Sequence, residues 1–541
     1  MTLPLSSITT STRRLLEERP KLCASLLILV FTALCAVGTY HNTPTYDEPG
    51  HLPYGESLLN GTLDHCDMQR MPITALNALP AKLLKALHIW VSPEMWWWLA
   101  RLPTVICAAG LGWFIFAWSF GLYGSKGGLA SLFLFVFCPT SLAHGGLVTT
   151  DMYCAAFSFF AAFTFSTYLR ARSWGRLLIA GVIMGVAQLT KHTALLLFPV
   201  LLLIFILRQY VAQQDPIATR QPWRRRLRRD ALHAIAYLLV ALAVINAGYR
   251  FRGTFETLDT HRKWLVANQG YPTPAPKSSA LARGLDYFVS RTPLPLPRPY
   301  VEALLLGQHF NTTGGGHGPV YILGKLGHLG WRYYFPVTFA LKTPLPTLAF
   351  ILLATFVCLR TRRLRLVSDE LLFVFSAAVP FAFLTFFCTA QLGVRYLLPV
   401  LPFLYTFAGQ IAIWSPAIKR RLWNAGLLAL LIWLPISVLS YFPHYISYFN
   451  EICWNRLHLY HYLADSNLDW GQDGYYLQRY LDAHKTQSIA KNPPVPTTGT
   501  VIVNVNSLIG PDYQWLRDNY SPVSRVAYSW LVYQVSSLPK E

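Results

Sequence analysis

A chain of 541 residues that is 53% hydrophobic, 14% aromatic and only 13% charged is too apolar for a soluble enzyme or a disordered linker, and it belongs in a membrane. Its formal net charge of +21 would ordinarily point to nucleic acid. The basic residues, however, stand in short clusters between long apolar runs, the pattern of cytoplasmic loops, so membrane lipid is the charged partner and no nucleic acid is expected.

Runs of about 20 mostly apolar residues mark spanning helices. They predict a polytopic α-helical membrane protein with about eleven transmembrane helices, centred near Val30, Ala109, Leu134, Phe160, Gly185, Leu201, Val240, Ile351, Ala378, Tyr405 and Leu431. The basic clusters are Arg13, Arg14, Arg19 and Lys21; Arg170, Arg172 and Arg176; Arg224 to Arg229; Arg360, Arg362, Arg363 and Arg365; and Lys419, Arg420 and Arg421. In this layout they all share the side of the N-terminus. The N-terminus is therefore expected in the cytoplasm, with the loop 41–95, the long loop 250–332 and residues 442–541 outside. Residues 1–441 form the expected transmembrane domain and 442–541 a small external α/β domain. The first apolar run has no small-residue cleavage site after it and is expected to stay as a span. Among the 9 cysteines, only Cys66 and Cys453 fall in segments expected outside, a pair that an oxidising compartment would allow to bond.

Directly after the first span comes Thr43-Pro-Thr-Tyr-Asp-Glu-Pro-Gly-His-Leu-Pro-Tyr54. Asp47 and Glu48 there are functional candidates, because charge at the mouth of an apolar segment is costly. Capping of the next helix is the competing reading. Pro44, Pro49 and Pro53 are expected to prevent a regular helix through the stretch. Ile73 to Trp90 carries leucines at helical spacing, which reads as an amphipathic helix lying in the interface or packed on the protein. Trp96, Trp97 and Trp98 then form an interfacial belt.

Asp151 opens the fourth span, where it either caps the helix or joins Asp47. Lys191 lies in a polar break between the fifth and sixth spans and either snorkels or holds an anion. Residues 271–299 are proline-rich and read as an extended strap. Asn311-Thr-Thr-Gly-Gly-Gly-His317-Gly lacks the Lys-Ser or Lys-Thr of a Walker loop. Lys342 falls inside a span, and Arg395 in a short external connection suits bidentate phosphate binding. Beyond 442, Gly499 to Val505 and Val526 to Tyr533 alternate like strands, and Gly474 to His484 reads as a helix. Asp465, Asp469 and Asp473 are read as turn and cap residues near the membrane exit.

Carboxylates facing Lys and Arg suit displacement of a phosphate leaving group: a carboxylate takes the proton of an acceptor hydroxyl, and cations stabilise the departing phosphate. The alternative is a transporter or flippase of a lipid-linked sugar, although such binding sites usually lie near the midplane, and no internal repeat is evident.

The chain resembles the GT-C superfamily of membrane glycosyltransferases, in the branch of protein O-mannosyltransferases and lipid A aminoarabinose transferases. The resemblance rests on Asp47-Glu-Pro-Gly-His51 with Gly55, Thr149-Thr-Asp151, Leu189-Thr-Lys191, Tyr334-Phe-Pro-Val with Leu341-Lys-Thr-Pro344, Gly393-Val-Arg395-Tyr-Leu-Leu-Pro399 and Asp465-Ser-Asn-Leu-Asp469-Trp-Gly-Gln472. It implies a polyprenyl-phosphate sugar donor and inverting transfer of a single sugar to a protein or lipid acceptor, in the inner membrane and on its external face. It further implies catalytic roles for Asp47, Glu48 and Asp151, and donor-phosphate contacts from Lys191, Lys342 and Arg395. His51, Tyr54, Asp465 and Asp469 become acceptor or supporting residues. No cofactor is required by the resemblance, although some relatives bind a divalent metal, for which His51, Asp64 and His65 are the candidate ligands. The family's usual His-Pro-Pro-Leu is replaced by Gln69-Arg-Met-Pro72-Ile.

Overall fold

The protein is described here by a computed structural model covering residues 17–213, 223–273, 279–315, 318–365, 368–416 and 420–538. Arg13, Arg14, His317, Lys419 and residues 274–278 of the proline-rich strap lie outside the described residues.

Each of the eleven expected centres falls in a helix. Among the described residues, seven helices are individually long and apolar enough to cross a membrane, and a bent pair makes an eighth. The difference from eleven has physical causes. The Pro93–Val136 helix has 44 residues and holds two of the centres. At about 1.5 Å per residue that is roughly twice a bilayer core. It is broken in its C-terminal third at Gly124, whose φ of 73° and ψ of −171° suit glycine. Trp174–Gln188 and Leu401–Ile413 are apolar but short. Tyr334–Lys342 and Leu345–Arg360 meet at 110°, with Pro344 at the corner.

Close packing of the bundle uses small residues, as apolar helices in lipid must. Gly181 and Gly185 let the Trp174–Gln188 helix seat against Val240 and Val244 of the Trp223–Gly248 helix; a Cβ at Gly185 would stand 2.6 Å from that of Val244. Helix Pro20–Tyr40 packs on Pro93–Val136. The last hundred residues carry a four-stranded sheet in the order Ile489–Lys491, Gly499–Asn504, Trp530–Val535, Ser524–Val526, with the first pair parallel and the others antiparallel. Helix Gly474–Ala483 covers it through Leu477, which packs with Ile502, Val526 and Val532.

The loops change the expectations for the prolines and the cysteines, and they show how the amphipathic helix sits. A helix, Glu48–Asn60, does run through the prolines: Pro49 falls in its first turn, where a missing N–H costs nothing, and only Pro53 is interior. Helix Ala75–Ala86 is seated on the protein by Asn77, Ala78 and Ala81, while Leu76, Leu79, Leu83 and Leu87 point outward with Trp90, so the apolar stripe faces away from the core. Cys66 and Cys453 are both free and buried, Cys66 beside Leu265 and Leu306 and Cys453 in the main core.

Candidate active site

The first helix ends at Tyr40, and the chain from Thr39 to Thr43 is pinned by Arg101, nine residues into the Pro93–Val136 helix. Arg101 Nη1 donates to the carbonyls of Thr39 (2.6 Å) and Asn42 (3.2 Å), and Nη2 donates to that of Thr43 (3.2 Å). Its Nε and Nη2 also donate to the two carboxylate oxygens of Glu48, at 2.9 and 2.7 Å. Glu48 accepts in addition from the N–H groups of Thr45 and Val148 (2.8 and 2.9 Å). Burial alone would raise the Glu48 carboxyl, but Arg101 and these donors hold it below the usual carboxylate range. Glu48 is therefore a fixed, ionised hub joining the first loop to the turn that precedes Asp151, with no exposed surface.

Asp47, one residue earlier, points the other way. It occupies the N-cap position but makes no capping hydrogen bond; its Oδ2 is 2.7 Å from Arg395 Nη1. The same guanidinium lies 3.7 Å from Asp151 Oδ2, and Asp151 Oδ1 is 2.5 Å from Lys191 Nζ. Asp151 likewise begins its helix without being its cap. Four side chains from distant parts of the chain thus alternate in sign: Asp47, Arg395, Asp151, Lys191. Aromatic faces wall the cluster. Arg395 lies 4.1 Å over the Trp470 ring and Lys191 4.3 Å over that of Tyr396. The Asp151 side chain is 3% exposed and the Asp47 side chain 29%, so Asp47 is the acid that an incoming molecule can reach.

The segment Asp465 to Gly474 aims both halves of this cluster. On one side, Asn467 Oδ1 accepts from Val394 N (2.9 Å) and its Nδ2 donates to Tyr334 Oη (3.0 Å), which accepts from Gly393 N (2.9 Å). Ser466 Oγ donates to the carbonyl of Leu392. Gly393, at φ 103°, lets the chain pass against Ser466, where a Cβ would meet its Oγ at 2.6 Å. On the other side, the N–H groups of Thr43 and Tyr46 donate to the carbonyls of Gln472 (3.0 Å) and Trp470 (2.9 Å), and Thr43 Oγ1 donates to Gly471 O (2.6 Å).

Residues 95–248 match the family model of dolichyl-phosphate-mannose-protein mannosyltransferases. The matched stretch carries Arg101, Asp151 and Lys191. No curated protein matches the chain significantly. Among solved structures it is similar to ArnT from Cupriavidus metallidurans bound to undecaprenyl phosphate, at 13% identity and a TM-score of 0.48 over 96% of this chain and 99% of that one. It is also similar to the archaeal oligosaccharyltransferase AglB from Archaeoglobus fulgidus in complex with an inhibitory peptide and a dolichol-phosphate, at 14% identity and a TM-score of 0.43 over 79% of this chain and 55% of that one.

Several residues expected at the site lie elsewhere. Lys342 is buried, its Nζ donating to the carbonyls of Ile446 (2.8 Å) and Asn467 (2.5 Å) under the Phe449 ring. It supports the Asn467 clamp from behind and has no route to a donor phosphate. Tyr54 is buried. Asp469 accepts from Gly471 N (2.9 Å), Asn504 Nδ2 (2.8 Å) and Asn506 Nδ2 (3.2 Å), tying the segment to the sheet. Asp465 and His51 do lie close to the cluster: burial raises the Asp465 carboxyl against the pull of Arg395. Burial also lowers the His51 imidazole to about 4, against the pull of Asp47 and Asp151, so it is neutral beside the cluster.

Of the expected metal ligands, His65 Nε2 and Asp64 Oδ2 lie 3.7 Å apart, but each is engaged by another partner. Asp64 Oδ2 is 2.8 Å from Arg298, and His65 Nδ1 is 2.8 Å from Glu302 with its ring stacked on Trp264, while His51 belongs to the Asp47 helix. Among the described residues no three His, Cys, Asp or Glu side chains are grouped to hold a metal, and no step is routed through one. Arg101, Asn467, Trp470 and Tyr396 have their roles only in three dimensions; of these, Arg101 has a clear sequence signal, a charge inside an apolar run. Arg70, in the departing Gln69-Arg-Met-Pro segment, is paired with Asp67 and crosses the start of the Asp47 helix at Gly50, where a Cβ would meet its guanidinium.

Proposed function

We propose that this protein is a glycosyltransferase that moves a single sugar from a polyprenyl-phosphate donor to an acceptor hydroxyl, with inversion at the anomeric carbon. The observation that carries the reading is the sharing of Arg395 between a reachable acid, Asp47, and a buried one, Asp151. The donor phosphate would take the place of the Asp47 carboxylate on Arg395, with Lys191 on its other flank. Asp151 keeps both cations in place from below. A carboxylate released from its ion pair is a stronger base, so donor arrival would itself prepare Asp47 to accept a proton. The acceptor oxygen then attacks the anomeric carbon, its proton passes to Asp47, the carbon–oxygen bond to phosphate breaks, and the charge of the departing polyprenyl phosphate is stabilised by Arg395 and Lys191.

The family description supports a polyprenyl-phosphate donor. The external face is supported by charge: Arg170, Arg208 and Arg363 meet Asp369 and Glu370 at the far end of the bundle from Asp151. The test uses Asp47→Asn, which keeps shape but cannot take the proton. It is expected to retain donor-lipid binding while transfer and polyprenyl-phosphate release fall about 10²- to 10⁴-fold. Parental transfer by that variant would remove Asp47 as base. Movement of donor across the bilayer without release of polyprenyl phosphate would make the protein a flippase.

A further inference from the structure

A cavity of about 530 Å³ opens at the opposite end of the bundle, lined by Arg362, Arg363, Arg365, Ser368, Glu370 and Trp414 among others. It lies at the start of the Asp369–Phe387 helix, whose 19 residues separate it by about 28 Å from that helix's other end, where the turns carrying His192 and Arg395 pack. It is therefore outside the transfer site.

Three features point to an anionic occupant. Three arginines face one carboxylate, and Glu370 is already engaged by Arg363 and Tyr123, each at 3.3 Å. Arg362 and Arg365 are exposed, and among the described residues no ion pair satisfies them. Arg362 also occupies a backbone position better suited to glycine. Helix Leu345–Arg360 closes with Arg363 N donating to Cys358 O (3.1 Å) and Arg362 N to Leu359 O (3.3 Å), and Arg362 has φ 51°. Glycine is usual at such a helix end, so the arginine is kept at a conformational cost.

One feature points to lipid rather than to a soluble anion. Leu352, Phe356 and Leu359 are exposed along one stripe of the helix that leads up to Arg362. Phe356 packs against Trp414 at 5.7 Å, and Trp414 against Trp423 at 4.9 Å. An acyl chain laid on this stripe would deliver its headgroup to the arginines at the level of a tryptophan belt.

We propose that this cavity binds the headgroup of an anionic phospholipid, its phosphate between Arg362 and Arg365 and one acyl chain along Leu352, Phe356 and Leu359. The experiment compares retention of phosphatidylglycerol with that of phosphatidylcholine by the purified full-length protein in neutral detergent, using native mass spectrometry and tryptophan fluorescence. Each arginine near an anionic headgroup is worth roughly fivefold in affinity, so Arg362→Gly with Arg365→Gln should lower phosphatidylglycerol affinity by about 25-fold. Phosphatidylcholine binding should not change. Arg362→Gly relieves the backbone and should fold at least as well as the parent. If the double variant does not fold, Arg365→Gln alone is expected to cost about fivefold. The control, Arg420→Gln with Arg421→Gln at the start of a neighbouring helix, should keep the parental affinity. Parental phosphatidylglycerol affinity in the cavity variant, or an equal loss in the control, overturns the proposal. So does displacement of phosphatidylglycerol by millimolar pyrophosphate, which would make the ligand a soluble phosphate.

Discussion

Replacing Glu48 by Gln separates two roles that adjacent acids invite one to merge. In the protein the Glu48 carboxylate accepts from Arg101 Nε, Arg101 Nη2, Thr45 N, Thr45 Oγ1 and Val148 N. Gln has nearly the same shape, but one of its ends becomes a donor that faces donors, and the negative charge is gone. Arg101, 1% exposed, then has no counter-charge, and breaking a buried pair by removing one partner costs about 3 to 5 kcal/mol. That is a large share of a marginal stability. Glu48→Gln should therefore give protein of much lower thermal midpoint in detergent, read by tryptophan fluorescence and by size-exclusion after heating. The fraction that remains folded should bind donor and transfer sugar at a substantial part of the parental rate. Linkage gives the same effect a pH signature. Because the folded-state pKa is lowered, the stabilisation is present above the unfolded glutamate value near 4.3 and is lost as pH falls through the folded value. The parent should lose this increment on acidification, and Glu48→Gln should not. An unchanged midpoint with abolished transfer would refute the reasoning and make Glu48 a catalytic acid.

Arg395→Lys keeps the charge but loses the fork, so donor use should fall about ten- to a hundredfold in a steady-state assay, while Lys342→Met should weaken folding more than donor binding. Gly393→Ala forces a side chain into φ 103° against Ser466; activity should drop with the donor KM raised, since Arg395 is displaced. His51, lowered to about 4, is neutral across the working range, so the pH–rate profile should show no histidine inflection between about pH 5 and 8. Because the unfolded chain takes up that proton first, the His51 contribution to stability should fall as pH drops from about 6.5 toward 4 and vanish in His51→Gln. A cysteine at Lys485, exposed beyond the Gly474–Ala483 helix, should react with an impermeant reagent on intact cells; reaction only after permeabilisation would place this face in the cytoplasm.

The four charges of the cluster are legible in the sequence because each stands at the end of an apolar run, where a charge has to be explained. Their pairing is not. Asp47 and Glu48 are neighbours in the sequence, but a helix begins between them and turns successive side chains by about 100°, so one meets Arg395 and the other Arg101. Lys342 reads as a site cation because it lies within a span; the 110° corner after it instead folds it beneath the 446 and 467 carbonyls. The acids of Asp465 to Asp473 read locally as turn formers. Their larger effect comes from contacts with residues some 70 and 430 positions away, which no local pattern encodes. The strands and the Gly474–Ala483 helix are legible from alternation and periodicity, whereas the Glu48–Asn60 helix is hidden by proline content that its first turn tolerates.

The pairing of Thr43 and Tyr46 with Trp470 and Gln472 sets an order of events during synthesis. Asp47 and Arg395 both precede Trp470 in the chain, so the backbone that fixes them is made after either. A nascent chain that has not reached Trp470 therefore carries the four charged groups of the cluster without the contacts that aim them. Ribosome-released fragments ending before Trp470 should insert normally but bind donor poorly. Grafting the 465–474 segment from a distant relative is expected to shift the aim of Arg395 and Asp47 together.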